Sequence, residues 1–136
     1  MLFRSSPSGD NIFKFNPVNA KYIRIYPQSW HGHISCRFDV YVNDILQNNN
    51  ENTRRYSSIW SNDAIGTGHA RSMINSNQAW SAKVNQVNEW AEINLGSIKS
   101  INGIKIQKRK SDKYIQYVKT FYIKYSTDNV NWNFII

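Results

Sequence analysis

The sequence predicts an all-β domain with antiparallel strands, on three observations. Short runs of β-branched and aromatic residues recur along the chain, separated by Asn, Asp, Gly, Ser and Pro. The 136 residues include five Trp, eight Tyr and six Phe, which suits a core built from short strands. No apolar stretch is long enough to span a membrane. We expect one domain, because a chain of this length can bury a core of its own.

The first third of the chain contains three predicted strands. Residues 1–11 have the composition of a loop, and residues 12–15 form a short strand that ends before Pro17, since proline cannot donate to a ladder. Residues 22–26 form a second strand. In residues 34–42, apolar and polar side chains nearly alternate, which indicates a strand with one buried face. The short polar connection between these two strands predicts a hairpin.

Residues 45–57 are predicted to be a linker. The polar stretch at 43–57, which contains them, carries an Asn run at 48–50 and has the pair Arg54-Arg55 near its end. Such a run offers little apolar surface to bury, so we expect it to be flexible. The arginine pair could be a targeting or cleavage signal, but a solvated linker is the preferred interpretation.

The remaining strands follow from the same pattern. Apolar side chains recur in residues 90–95, 101–106 and 117–125, and a last short strand covers 132–136. The first of these ends at Gly96, which is typical of a turn.

Several phrases in the chain resemble the discoidin domain, also called the coagulation factor V/VIII C-type module. KYIRI at 21–25, followed by Pro27, Trp30, Ile34, Arg37 and Tyr41, resembles the strands that close that domain, as does FNPV at 15–18. SIW at 58–60, ARSM at 70–73, QAW at 78–80, EWAEINLG at 89–96 and YSTDNVNW at 125–132 resemble its opening two-thirds. The family's parts therefore occur in the order end, then beginning.

The resemblance implies a discoidin-like antiparallel β-sandwich or jelly-roll barrel in circularly permuted order. Residues 1–44 would supply the family's C-terminal part and residues 58–136 its N-terminal part, as a single domain over 1–136. A window across two tandem domains is the alternative. Because the family's natural ends lie close together, we expect the two parts to fold as one monomer whose chain ends are neighbours.

The formal charge of +8 favours anionic partners. Acidic lipid head groups, sulfated or sialylated glycans and nucleic acid all fit, although a basic surface can also serve solubility alone. We expect no specific nucleic-acid partner. The single Cys36 excludes an internal disulfide and is expected to be buried. No catalytic constellation of Ser, Cys, His or paired carboxylates fits the strand pattern, so the sequence does not predict an enzyme.

The resemblance implies that ligands bind to loops gathered at one end of the barrel. The matching segments are residues 4–11, 61–69 and 109–116 and the turn at 30–33. The candidate ligand-binding residues are Arg4, Trp30, His31, Asn62, Asp63, His69, Asn85, Arg109, Lys110, Ser111, Lys113 and Tyr114. Three cations beside Tyr114 suggest a clamp for phosphate, sulfate or carboxylate.

The leading functional hypothesis is a non-enzymatic module that binds carbohydrate or glycoconjugates, with an anionic ligand expected. Peripheral binding to anionic phospholipid membranes and a role as a protein-interaction or adhesion domain are the alternatives. Membrane-binding members of the family carry exposed apolar loop tips, and here only Ile65 is expected to be able to insert. The resemblance implies an extracellular or cell-surface location. The N-terminus shows no signal peptide, and one free Cys is also compatible with the cytoplasm.

Two groups of residues are expected to have structural roles. By the resemblance, Trp60, Trp80, Trp90 and Trp132 take core or near-core positions and serve in packing. Arg24, Arg37 and Arg71 are expected to form buried or half-buried ion pairs, with Asp39, Glu89 and Glu92 as candidate partners. His31 and His33 are interpreted as a polar pair at the rim rather than as metal ligands, since no third ligand lies nearby in sequence. No cofactor or metal is expected, and calcium binding has no clear motif.

Overall fold

The computed structural model describes residues 1–7 and 10–136, so Ser8 and Gly9 of the predicted N-terminal loop lie outside the described residues. Within those residues the strands are β1 (Phe3–Arg4), β2 (Asp10–His31), β3 (Ser35–Val42), β4 (Ile45–Leu46), β5 (Arg54–Tyr56), β6 (Trp80–Ser81), β7 (Ala91–Gln107), β8 (Tyr117–Ser126) and β9 (Asn133–Phe134). Two 3-10 turns cover Glu51–Thr53 and Trp60–Asn62.

The strands form antiparallel sheet structure in the order β1-β8-β2-β7-β3-β4, with β5 on β7, β6 on β3 and β9 on β8. The prediction of an all-β antiparallel fold is confirmed. The first 11 residues are not all loop, because Phe3–Arg4 pairs with Phe121 and Thr120 of β8.

The predicted hairpin between the second and third strands is wrong. From Asp10 to Ile25, β2 pairs with β7, and its last part, Tyr22–His31, pairs with β8. The chain then crosses to the other side of β7, where β3 pairs with residues Ile101–Gln107. The alternation of apolar and polar residues does not specify the neighbouring strand. The single buried face predicted for residues 34–42 is also wrong, because residues 35–41 of β3 are buried on both faces.

Pro17 and Pro27 do not end strands, although the sequence predicted that the strand at 12–15 ends before Pro17 and that the strand at 22–26 stops at Pro27. β2 continues through both, and the register shifts between Lys14 and Val18 and again between Pro27 and Ser29. Each shift is a bulge or irregularity at which a residue without an N–H can be accommodated.

The core draws on both ends of the chain. Ile23 and Phe38 from the first 44 residues are fully buried together with Trp80 and Phe121. Cys36 is buried among them as predicted, and burial raises the pKa of its thiol to about 12. The chain ends are neighbours, as expected, since the Met1 amino group donates to the Ile135 carbonyl oxygen at 3.1 Å.

The segment 45–57 is not the flexible linker that its composition predicts. It contains β4, a 3-10 turn and β5, and the side chain of Arg54 is fully buried. Arg54 Nη2 lies 2.8 Å from Asp39 Oδ2, and Asn49 donates to the same carboxylate through its backbone N–H and its amide. Buried polar partners, rather than apolar burial, therefore order this polar segment.

The predicted arginine pairs are correct in one of three cases. Arg24 Nε lies 2.8 Å from Glu92 Oε1, as expected. Arg37 instead donates to the carbonyl oxygens of Lys108 and Ser76, and Arg71 donates to that of Gly68. Asp39 was a candidate partner for these arginines, but it pairs with Arg54, which the sequence had placed in solvent.

Candidate functional site

Four segments meet at one end of the structure, and we call this region the loop end: residues 31–34, 60–69, 81–88 and 109–116. They surround an open cavity of about 320 Å³. Its basic lining residues are His33, His69 and Arg109, and its other lining residues are Trp60, Ser81, Tyr114 and Gln116.

His33 ties the β2–β3 connection to the segment after β6. Its Nε2 atom lies 2.6 Å from the Ala82 carbonyl oxygen, and its Nδ1 atom lies 3.1 Å from Asn85 Nδ2. Asn85 Oδ1 accepts the Ile34 backbone N–H at 2.9 Å, which fixes the orientation of the amide. These contacts select the neutral tautomer of His33 with its proton on Nε2. The ring packs edge-on against Trp60 with centroids 5.5 Å apart.

Arg109 is the cation of the cavity. Its Nη1 atom donates to Gln116 Oε1 at 3.0 Å, and its guanidinium carbon lies 5.2 Å from the centroid of the Tyr114 ring. Its Nε atom is buried and makes no hydrogen bond within the described residues, and no carboxylate there forms an ion pair with this guanidinium. A positioned guanidinium with unused donors is suited to a carboxylate or a phosphate.

Asp63, six residues earlier in the same loop, holds His69 in place. Asp63 Oδ2 accepts the His69 backbone N–H at 2.8 Å and lies 3.2 Å from Nδ1 of the ring. These contacts, chiefly the backbone N–H, lower the pKa of the Asp63 carboxyl. Asp63 therefore stays charged and keeps the imidazole at the wall of the cavity.

Some of the candidate ligand-binding residues lie at this cavity and others support it. His69, Arg109 and Tyr114 line it, while Asp63 and Asn85 hold the two histidines. In the loop before Tyr114, Ser111 Oγ accepts the backbone N–H groups of Lys113 and Tyr114, Lys113 lies over the Tyr114 ring, and Lys110 donates to Asn77.

Four other candidates lie outside the cavity lining. Trp30 is partly buried against the core, and the His31 ring stacks on Tyr117 whereas the His33 ring packs against Trp60. Arg4 is exposed on β1 opposite Thr120, and Asn62 is exposed in the 3-10 turn.

Sequence reasoning missed four lining residues. Trp60 was predicted to pack in or near the core, but 48% of its surface is exposed, so this prediction is wrong. Its position in a short 3-10 turn, which no strand pattern reveals, keeps it out of the core. Ser81 and Gln116 carry no sequence signal of their own, and His33 was assigned to the rim.

A set of large apolar side chains is exposed in the segments of the loop end. Its members are Trp60, Ile65, Val84, Val87, Tyr114 and Ile115, each between 42% and 51% exposed. The expectation that only Ile65 could insert into a membrane is therefore wrong. Strand periodicity could not identify these residues, because they lie in loops.

Gly32 makes the tight passage between β2 and β3 possible. Its φ is +72°, and a Cβ at this position would lie 2.9 Å from the Ile115 carbonyl oxygen. We expect Gly32→Ala to lower the free energy of unfolding by about 1–2 kcal/mol from the positive φ alone, measured by urea denaturation. Gly96→Ala is the matched control, because its φ is +84° but no atom lies within 4 Å of the added Cβ. Equal losses in the two variants would show that the contact with Ile115 contributes nothing.

Among residues 1–7 and 10–136, no group of three or more His, Cys, Asp and Glu side chains could hold a metal ion. No helix in that part of the chain is long and apolar enough to cross a membrane.

Comparisons with known proteins identify similar sequences. The model of the F5/8 type C domain matches residues 46–136. Lactadherin of Rattus norvegicus is 30% identical over 138 residues, which cover 89% of this chain and 32% of that protein. Coagulation factor V of Pseudonaja textilis is 26% identical over 129 residues, which cover 85% of this chain and 9% of that protein. The chain thus spans a third or less of these two relatives. No solved structure matches.

Proposed function

Because the chain belongs to the F5/8 type C domain family, whose domains are non-catalytic binding modules, we propose that its loop end binds membranes containing anionic phospholipid. The observation that carries this proposal is the combination of a cation, Arg109, in an open cavity with exposed apolar side chains in the same loops. Head groups would be recognised in the cavity, and the apolar side chains would enter the membrane interface.

Recognition of the head group rests on Arg109. The guanidinium fork matches a carboxylate or phosphate, and no carboxylate of the described residues forms an ion pair with it. Ser81 and Gln116 supply further polar groups in the cavity lining. The formal charge of +8 adds attraction to an anionic surface, worth about 1 kcal/mol for each basic residue close to it.

Insertion rests on the exposed apolar set. Aromatic side chains such as Trp60 and Tyr114 favour the level of the head groups, and aliphatic ones such as Val87 and Ile115 favour the acyl boundary. Exposed apolar groups concentrated in one region are typical of an interaction surface. Family membership also supports an extracellular or cell-surface location as a proposal, whereas the cytoplasmic alternative suggested by the free Cys36 has no support.

Binding of an acidic glycan in the same cavity is the second candidate, as the sequence had suggested. It is favoured by one observation: Trp60 and Tyr114 offer aromatic walls beside Arg109 and two polar side chains. Such a lining suits the ring and the carboxylate of an acidic sugar. This candidate does not require the exposed Val84, Val87 and Ile115.

Sedimentation with vesicles tests the proposal. The protein should sediment with phosphatidylserine–phosphatidylcholine vesicles, less so with added salt, and not with phosphatidylcholine alone. Arg109→Ala is expected to weaken sedimentation about tenfold, since hydrogen bonds to charged groups contribute about 1.5–3 kcal/mol. The double variant Val87→Ser, Ile115→Ser should weaken sedimentation with the vesicles, because it removes two apolar side chains, but should not change any binding to soluble glycans.

Arg55→Ala is the matched control, because it removes an equal charge from the exposed side of β5. Equal effects of the two arginine variants would contradict a head-group site at Arg109. Binding on a glycan array without sedimentation would replace the membrane proposal with the glycan candidate.

A further inference from the structure

A second cleft lies on the outer side of β2, β8 and β9 and, among the described residues, shares no lining residue with the cavity of the loop end, although one of its lining residues, Asn88, is the last residue of the loop-end segment 81–88. It has a volume of about 210 Å³ and is lined by Tyr26, Gln28, Asn88, Tyr122, Lys124 and Phe134. We call it the side cleft. The alternation along β2 explains its lining: Ile23 and Ile25 are buried in the core, so Tyr26 and Gln28 belong to the opposite face.

We propose that the side cleft is a second binding site, which takes one acidic sugar unit bearing a carboxylate or a sulfate. The argument starts from Lys124. Its Nζ atom lies 5.0 Å from the centroid of the Tyr26 ring and 4.5 Å from that of Phe134. Tyr122 packs edge-on against Phe134 with centroids 5.5 Å apart, which fixes one wall.

The neighbouring cation Arg24 has a carboxylate partner, whereas Lys124 has none among the described residues. Arg24, opposite Lys124 in the register of β2 and β8, lies 3.9 Å from the Trp90 ring centroid and 4.2 Å from that of Trp132. It is also neutralised by Glu92. Lys124 has the same kind of aromatic surroundings, but within the described residues it has neither a carboxylate partner nor a hydrogen bond.

The charge balance of the side cleft favours an anion. Among the described residues, Lys124 is the one charged residue of its lining. The neighbouring Glu92 is 1% exposed and already bonded to Arg24, so it cannot serve as the counterion. An ammonium with three unused donors, placed between apolar rings, gains most from an anionic group that displaces its water.

The remaining lining favours a sugar as the carrier of that anion. The Asn88 amide and the Tyr122 hydroxyl make no hydrogen bond within the described residues, and Gln28 uses its amide nitrogen on the Tyr26 carbonyl oxygen while its own oxygen is unused. These groups can donate to and accept from hydroxyls. Phe134 is 50% exposed and offers an apolar surface for a sugar ring. The volume is below the range typical of drug-sized ligands, which fits a single ring.

Titration of the ¹⁵N-labelled protein with monosaccharides tests the proposal. Glucuronic acid, N-acetylneuraminic acid and glucose 6-sulfate are the probes, with glucose as the neutral comparison. At least one acidic sugar should shift the amide resonances of residues 122–124 and 134 and bind more tightly than glucose. Comparison of the carboxylated and sulfated probes identifies which anion is taken.

Variants separate this site from the rest of the surface. Lys124→Met keeps the packing between the rings and is expected to weaken acidic-sugar binding about tenfold, the loss of a charged hydrogen bond. Lys119→Met is the matched control, because it removes an equal charge from the exposed side of the same strand. Its affinity for the acidic sugar should stay within about twofold of that of the unchanged protein. Arg109→Ala should also leave it unchanged. Equal affinity for glucose, equal effects of the two lysine variants, or shifts confined to the loop end would overturn the proposal.

Discussion

Replacing Asp39 by asparagine is expected to lower the free energy of unfolding by about 3–5 kcal/mol, because it removes the close partner of the buried Arg54. Among the described residues it leaves Arg54 only the carboxylate of Glu51, whose Oε1 atom lies 4.0 Å from Arg54 Nε. The side chains of Asp39 and Arg54 are at most 1% exposed, and their closest atoms are 2.8 Å apart. Arg54 also donates to the carbonyl oxygens of Phe38, Ser72 and Asn49, so it cannot turn toward water without breaking these bonds. A fall of the melting temperature by about 10–20 °C should accompany the loss.

A double-mutant cycle gives the sharper measurement. Burial raises the pKa of the Asp39 carboxyl, although contacts with Arg54 and Asn49 oppose that rise, so the carboxylate is costly to bury alone. Asp39→Leu combined with Arg54→Met should therefore cost less than the sum of the two single variants. Asp44→Asn is the control, because it breaks an exposed ion pair with Lys14 and should leave the melting temperature unchanged. Additive losses would contradict the coupling of Asp39 and Arg54.

Arg54 also shows where sequence reasoning failed. An Asn-rich segment ending in two arginines has the composition of a solvated linker, and Arg55 is indeed exposed. Its neighbour is buried only because the carboxylate of Asp39 and several carbonyl oxygens converge on it from β3 and from the segment around Ser72. Partners so far apart in sequence leave no local signal.

Which residues lie in strands was partly predictable because the pattern is local. However, β2 and β7 each join two predicted strands, and β7 continues through Gly96, where a turn was expected. Ile23 and Ile25 alternate with polar neighbours, and both are fully buried. The pairing of strands was not predictable from alternation, since β7 separates β2 from β3. The same distinction holds at the loop end. The loop containing Arg109 could be recognised by its charge, whereas the exposure of Trp60 depends on how a 3-10 turn packs against His33.

A fragment comprising residues 57–136 is expected not to fold. We propose that residues 1–44 and 58–136 form one domain, and the strand order supports this proposal because β2 lies between β7 and β8. Without β2, long edges of β7 and β8 would lose their hydrogen-bond partners, and exposed edges of this kind pair with other chains. The fragment would also expose Trp80 and Phe121, which are fully buried in the complete chain.

The fragment should therefore aggregate or show no cooperative thermal transition by circular dichroism, whereas the complete chain should melt cooperatively as a monomer. Opening the chain without removing strands is the matched control. Met1 and Ile135 are in contact, and residues 83–88 form an exposed loop, so joining the two ends with a few Gly residues and opening the chain between Lys83 and Val84 retains every strand. The opened chain should keep a cooperative melt, since lengthening a flexible connection costs only about 0.6 kcal/mol per doubling. A cooperative melt of the 57–136 fragment alone would instead show that β7 and β8 do not depend on β2, and the proposal of one domain would then be wrong.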